Sequence, residues 1–158
     1  MFSDTFQAFT FLTPTEVSRI GGIPRDAIVG LVAQGTPPDP RAYTPQTFRP
    51  NPGFLQFLSQ VIRRCAHEMP LMQDEARRVG DGAVYLIDGR TADPQGSVPP
   101  EDILGFVRVD GGQIVPESFE LNESYALVTS RGLFTLPPDL HERLLDAMRS
   151  MSLTGGQG

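Results

Sequence analysis

Apolar residues recur at helical spacing in two long segments of the chain. Intervals of three and four residues place each set on one continuous stripe of a helix surface. The members are Phe54, Phe57, Leu58, Val61, Ile62 and Cys65 in the first segment and Leu140, Leu144, Leu145 and Met148 in the second. Asn51 is a favoured N-cap and Pro52 a favoured first helical residue, so the first stripe has a defined start. The pattern predicts two main helices, at 52–68 and 138–150.

Two shorter helices are predicted from the residues at their ends. Thr13-Pro14-Thr15-Glu16 has the form of a capping box, in which threonine and glutamate satisfy each other's backbone donors. Gly21-Gly22 would end this helix, since glycine readily adopts the left-handed backbone of a C-cap. Pro70–Val79 is the other predicted helix, and it is stopped by Gly80.

Short runs rich in β-branched and aromatic residues predict strands. These runs are Ala8–Leu12, Ile28–Val32, Gly82–Asp88, Ile103–Val109, Tyr125–Thr129 and Leu133–Thr135. Asp110-Gly111-Gly112 predicts a hairpin turn that returns through Gln113–Val115. We therefore expect one α+β domain over 1–151, a mostly antiparallel sheet packed by two main helices, followed by a loose polar tail at 152–158.

The chain also resembles itself. Without gaps, 8–32 aligns with 83–107, and a second block follows in the same order, 45–54 with 116–125. The identical pairs are Ala8/Ala83, Gly21/Gly96, Pro24/Pro99, Ile28/Ile103, Gly30/Gly105, Val32/Val107, Pro45/Pro116, Phe48/Phe119 and Asn51/Asn122. These blocks predict an internal duplication with half-repeats 8–76 and 83–151 related by a pseudo-twofold axis. Beyond Asn51 and Asn122 the halves diverge, because one is predicted to continue as helix and the other as strand.

Composition limits the class of protein. The 158 residues are 39% hydrophobic and 20% charged, which is typical of a globular chain. The only cysteine, Cys65, excludes an intramolecular disulfide and indicates a reducing compartment. The first residues lack a basic segment followed by an apolar run, and no stretch reaches 18 apolar residues. We expect a cytoplasmic protein that neither enters nor crosses a membrane.

Charge further restricts the partners. A net charge of −6 disfavours nucleic acid and anionic membrane surfaces and favours a protein with a basic surface. All 13 basic residues are arginine, which together with 15 prolines and 16 glycines suggests a GC-rich bacterial genome. Without lysine, the chain cannot form a Schiff base, attach pyridoxal phosphate or present a Walker A lysine. No cofactor is expected.

Four carboxylates lie in or beside loops that follow predicted strands: Asp88, Asp93, Glu101 and Asp102. Brought together, they would bind Mg²⁺ or Ca²⁺ through oxygen ligands, with Arg90 orienting a substrate. This is the alternative hypothesis, a small carboxylate-based enzyme with or without a divalent metal. Ordinary turn chemistry explains the same residues, since aspartate before glycine is a common turn pair. His67 and Cys65 lie two helical positions apart, so their side chains point in different directions.

The proline-rich stretch Thr36–Pro52 is the main candidate for partner binding. Such a segment favours extended polyproline II geometry and loses little entropy on docking, and Tyr43 and Phe48 lie between its prolines. Alternatively, it is a connector whose two aromatic rings belong to the core. Arg90 is a third candidate, either for a partner's carboxylate or for a loop salt bridge.

The leading hypothesis is a non-catalytic protein-interaction or assembly module, such as an adaptor, a structural subunit or an immunity-type protein. The sequence holds no HExxH, CxxC, GxSxG or GxGxxG motif. Its partner would be another protein, and homo-oligomerisation is left open.

Overall fold

The computed structural model describes residues 6–93 and 96–151. It confirms the α+β class, with four α-helices in the described residues. They are α1 (Pro14–Ile20), α2 (Pro52–Cys65), α3 (Pro70–Val79) and α4 (Pro138–Arg149). The strands are β1 (Phe6–Phe9), β2 (Gly30–Ala33), β3 (Phe48–Pro50), β4 (Gly82–Ile87), β5 (Ile103–Asp110), β6 (Gln113–Ile114), β7 (Glu120–Leu121), β8 (Val128–Thr129) and β9 (Gly132–Leu133). They form three antiparallel sheets instead of one.

The predicted helices are confirmed with small changes at their ends. The first main helix becomes a 3-10 turn at Ala66–Glu68 before reaching its predicted end. The capping box of α1 is present: Glu16 N donates to Thr13 Oγ1 over 3.1 Å, and Thr13 N donates to Glu16 Oε1 over 2.9 Å. No described helix is long and apolar enough to cross a membrane.

The chain divides into two compact units. The first contains Met1–Leu58, Leu127–Leu133 and Glu142–Gly158, and the second contains Ser59–Ala126 and Phe134–His141, as far as these residues are described. The single domain over 1–151 and its half-repeats stay predictions, and the predicted tail at 152–158 lies outside the described residues.

The sheet of the first unit has β2 at its centre, between β1 and β3. Strand β3 lies inside the proline-rich segment and was not predicted, because a three-residue strand beside prolines has no recognisable pattern. The largest side chains buried in this unit are Val29, Phe54, Leu58, Leu127, Leu144 and Met148.

The sheet of the second unit has β5 at its centre, paired with β4 on one side and with β6 and β7 on the other. Alternate residues of β5, Gly105, Val107 and Val109, are buried, whereas Phe106 is partly exposed and Arg108 is exposed. The predicted strand Tyr125–Thr129 is reduced to Val128–Thr129, because Tyr125 belongs to a turn in which its amide donates to Asn122 O. The largest buried side chains of this unit include Ile62, Leu104, Val107, Phe119 and Leu140.

Two asparagines make matching hydrogen bonds in the two units. In the first, Asn51 Nδ2 donates to the carbonyls of Arg25 and Ile28, over 3.0 and 2.8 Å. In the second, Asn122 Nδ2 donates to the carbonyls of Pro100 and Ile103, over 2.9 and 3.0 Å. These residues occupy equivalent positions in the aligned blocks.

Two glycines are equivalent as well. A Cβ on Gly30 would lie 2.3 Å from the Phe48 ring and 2.4 Å from Arg49 O. A Cβ on Gly105 would lie 2.7 Å from the Phe119 ring and 2.1 Å from Glu120 O. In each unit, an aromatic ring and the following residue's carbonyl oxygen therefore pack directly against a glycine of the central strand. These matched contacts support the duplication, which stays a hypothesis.

In the first strands, strand pairing and the ungapped alignment differ by two residues. Phe9 pairs with Gly30 and Leu86 pairs with Gly105, so pairing to the central strand matches Phe9 with Leu86, whereas the alignment matches Phe9 with Val84. Under the duplication hypothesis, a two-residue shift in this segment would reconcile the two, because it keeps the same side chains on each face of the sheet.

Candidate functional site

A cluster of buried polar side chains lies in the second unit. Asp88 directly follows β4, and Asp102 ends the 3-10 turn Pro100–Asp102 before β5. The ends of these paired strands meet, since Asp88 N donates to Asp102 O over 2.7 Å. Asp88 is 1% exposed and Asp102 is 0% exposed, and the Arg90 side chain is 3% exposed.

Arg90 lies between the two carboxylates. Its Nε is 3.1 Å from Asp88 Oδ1 and 3.3 Å from Asp102 Oδ1, and these contacts are ion pairs. Its Nη2 donates to the carbonyl of Ala126 over 2.7 Å. The loop salt bridge considered for Arg90 is therefore present, and the guanidinium is enclosed within the protein.

The remaining carboxylate oxygens also have partners. Tyr125 OH donates to Asp88 Oδ2 over 2.7 Å, and Thr135 N donates to both Asp88 oxygens over 3.0 and 3.1 Å. Thr91 Oγ1 donates to Asp102 Oδ2 over 2.5 Å. Burial, and then the negative charge of Asp88, raise the pKa of Tyr125 well above its ordinary value, so its phenol remains a donor at neutral pH. A buried network in which the polar groups have hydrogen-bond partners rigidifies the structure around it.

Two of the four carboxylates of the enzyme hypothesis come together. Asp88 and Asp102 meet around Arg90, whereas Asp93 is exposed and Glu101 is partly buried. Among the described residues, no group of three or more histidine, cysteine, aspartate or glutamate side chains is placed to hold a metal ion.

Sequence reasoning missed Tyr125 as a member of this cluster. Comparison of the halves contains a signal for it, because the buried residues Ala27 and Phe54 of the first unit correspond to Asp102 and Tyr125. In the alignment, a polar residue opposite a buried apolar residue therefore indicates a position where the two halves differ in their cores.

We expect Tyr125→Phe to destabilise the protein by about 1.5–3 kcal/mol at neutral pH, because Asp88 loses a charge-assisted hydrogen bond. The raised pKa of Tyr125 means that its contribution is fully present below the ordinary tyrosine pKa, about 10, and is lost as pH rises through the folded value. Above pH 10, the variant should therefore lose stability less steeply than the native chain. Urea unfolding at pH 7 and at pH 10.5 measures both effects.

The exposed Tyr85→Phe variant is the control, and its stability should be nearly unchanged. Equal losses for both variants would contradict the role of the buried hydroxyl.

Tyr43 and Phe48, the aromatic candidates in the proline-rich segment, are both buried. Their rings are stacked with centroids 5.9 Å apart, and Phe9 contacts Tyr43 edge-on at 5.6 Å. This placement agrees with the connector interpretation, in which the two rings belong to the core of the first unit. Partner binding by this segment would depend on its exposed residues, and it stays a hypothesis.

An open groove lies on the outer face of the second unit's sheet. Tyr85 is 59% exposed and sits opposite Phe106, with ring centroids 5.8 Å apart. On the next strand, Glu120 sits opposite Phe106. The groove has a volume of about 600 Å³, and we call it the acidic aromatic groove. Its lining includes Tyr85, Phe106, Glu120, Leu121, Asn122 and Glu123.

Strand alternation explains why these side chains face outward. Val84 and Leu86 of β4 are buried, which turns Tyr85 to the opposite face, and Val107 of β5 does the same for Phe106. The described lining holds two carboxylates and no basic side chain. The surface is therefore suited to a cationic group that can lie on an aromatic ring and pair with a carboxylate.

Comparison of the chain with family models, curated proteins and solved structures found no match.

Proposed function

We propose that this protein is a non-catalytic protein-interaction module that binds a basic surface of its partner in the acidic aromatic groove. The observation that carries the proposal is the exposed Tyr85 ring beside Phe106, next to Glu120. Tyrosine on a sheet face is typical of protein interfaces, because it buries a large area with few rotatable bonds.

The charges of the groove favour a cationic side chain. Glu120 and Glu123 are exposed in its lining, and the chain carries a net charge of −6. A guanidinium can bind both the aromatic rings and the carboxylates of the groove, since it stacks on an aromatic ring and forms paired hydrogen bonds with a carboxylate. An arginine-bearing partner is therefore favoured over an acidic one.

The environment of the buried carboxylates supports a non-catalytic role. Asp88 and Asp102 are nearly inaccessible, and their oxygens are engaged by side chains and backbone of the same unit. A general base must reach its substrate within hydrogen-bonding distance, directly or through one water molecule. In this arrangement the two carboxylates are enclosed.

We place the interaction in the cytoplasm of a bacterial cell. Two sequence features support this: the single cysteine, Cys65, which excludes an intramolecular disulfide and is buried, and the use of arginine for every basic residue.

The test is capture of the tagged protein with its partner from its native cells, comparing Tyr85→Ala with Leu71→Ala. Loss of an interface tyrosine should weaken the complex by about 2 kcal/mol, which is roughly 30-fold in affinity. Leu71 is the matched control, since it is 68% exposed on α3 and lies outside the lining of the groove.

A partner that is retained by the native chain and by Leu71→Ala but lost from Tyr85→Ala supports the proposal. Equal retention by all three chains would place the interface elsewhere. Recovery of the tagged chain with neither another protein nor a second copy of itself would contradict the function.

A further inference from the structure

We propose that the acidic aromatic groove of one copy receives the outer sheet face of the first unit of a second copy. This inference rests on the proposed function and names the partner as the chain itself. We call the inserted surface the arginine face, and it consists of Phe6, Ala8, Leu31 and Arg49.

Cross-strand pairing defines the arginine face. Leu31 sits opposite Ala8 on one side and opposite Arg49 on the other, so the three side chains share one face of the sheet. Leu31 is 39% exposed. The Arg49 guanidinium lies 4.3 Å from the centroid of the Phe6 ring, which holds the cation on this face.

The two surfaces occupy equivalent positions in their sheets. Leu31 follows Gly30 as Phe106 follows Gly105, and each is the central residue of a cross-strand row. The first row reads Ala8, Leu31, Arg49 and the second reads Tyr85, Phe106, Glu120. At the equivalent edge position, one row therefore carries a cation and the other an anion.

Size is complementary as well as charge. Packing the faces with Arg49 against Glu120 places β3 over β7 and β1 over β4. The bulky Tyr85 then covers the small Ala8, and Phe106 packs on Leu31. Among the described residues, neither Arg49 nor Glu120 forms an ion pair within the chain. Complementary charges of this kind determine partner choice and orientation.

The contact joins two different surfaces, so it is heterologous. Such a contact propagates into rings or open chains, because each added copy leaves a groove and an arginine face unused. Three short strands about 4.8 Å apart cover only a few hundred Å², less than the roughly 800 Å² per partner of a stable interface. The association should therefore be weak and should depend on concentration.

The test is sedimentation velocity of the full chain from about 10 µM to 1 mM. The native chain should shift to larger species with concentration. Arg49→Glu and Glu120→Arg should each weaken this association at least tenfold, since each places like charges across the contact. Arg78→Glu on α3 is the control for Arg49→Glu, because it makes the same change in net charge at an exposed site.

Mixing the two charge-reversal variants provides a second measurement. Equimolar Arg49→Glu and Glu120→Arg chains should associate again. The reversed charge on the sheet face of the first variant then lies opposite the reversed charge in the groove of the second, so the two charges attract. Restored association in the mixture, absent from each variant alone, would establish the contact.

Two results would overturn the inference. One is a native chain that remains monomeric up to 1 mM. The other is self-association that Tyr85→Ala weakens and Arg49→Glu does not, which would retain the groove as an interface but assign it a different partner surface. Failure of the proposed function itself is recognised separately, when the tagged chain captures neither another protein nor a second copy of itself from native cells.

Discussion

Arg90→Gln is expected to destabilise the protein by about 3–5 kcal/mol, because it leaves two buried carboxylates without their counter-ion. Asp88 and Asp102 are enclosed on either side of this guanidinium, and the variant cannot hydrate them. A loss of this size is a large part of the 5–15 kcal/mol that usually stabilises a domain. Urea unfolding followed by circular dichroism measures the change.

The control for this prediction is Arg78→Gln. Arg78 pairs with Glu75 on the surface of α3, where solvent screens the interaction, so stability should be nearly unchanged. Similar losses for the buried and the exposed arginine would show that the Asp88–Arg90–Asp102 cluster is not a stabilising element.

Gly105→Ala is expected to destabilise the protein by about 3 kcal/mol, because the added methyl group has no space. Its Cβ would lie 2.1 Å from the carbonyl oxygen of Glu120 and 2.7 Å from the Phe119 ring, so strands β5 and β7 would have to separate. Gly30→Ala should have a similar cost, since its Cβ would meet Phe48 and the Arg49 carbonyl at comparable distances. Thermal and urea unfolding of both variants test the equivalence of the two sites.

Gly53→Ala is the matched control. Its closest contact, at 2.9 Å, is the side-chain end of the exposed Asp26, which can move away. The residue lies in the first turn of α2, where alanine favours the helix, so the variant should be neutral or slightly more stable. A loss at Gly53 equal to that at Gly105 would contradict the steric explanation.

Local pattern determined the elements of this protein. The apolar stripe after Asn51 predicted α2, and the run at Gly82–Asp88 predicted β4, because periodicity and end residues act over a few positions. Similarity between the halves also matched Gly30 with Gly105 and Asn51 with Asn122. Their matched contacts are now visible in each unit.

The candidate site depended on longer-range structure. Alternation along β4 places Tyr85 on the face opposite Val84 and Leu86. It does not determine which of the two faces packs against the core, so the groove could not be predicted. Conversely, Tyr43 and Phe48 looked like docking residues because they lie between prolines, yet both rings are buried. Exposure is decided by packing between distant segments, which intrinsic propensity does not encode.

The charged residues show the same division. Sequence placed Asp88, Arg90 and Asp102 near strand ends, and this is where they lie. Only the pairing of β4 with β5 brought the two aspartates to one guanidinium, and only the turn at Tyr125 closed the cluster with a phenol. Composition and periodicity thus determined the α+β elements, whereas the tertiary structure decided which polar groups are enclosed and which aromatic face is open. The physical reason is that burial and ion pairing depend on contacts between residues far apart in the chain.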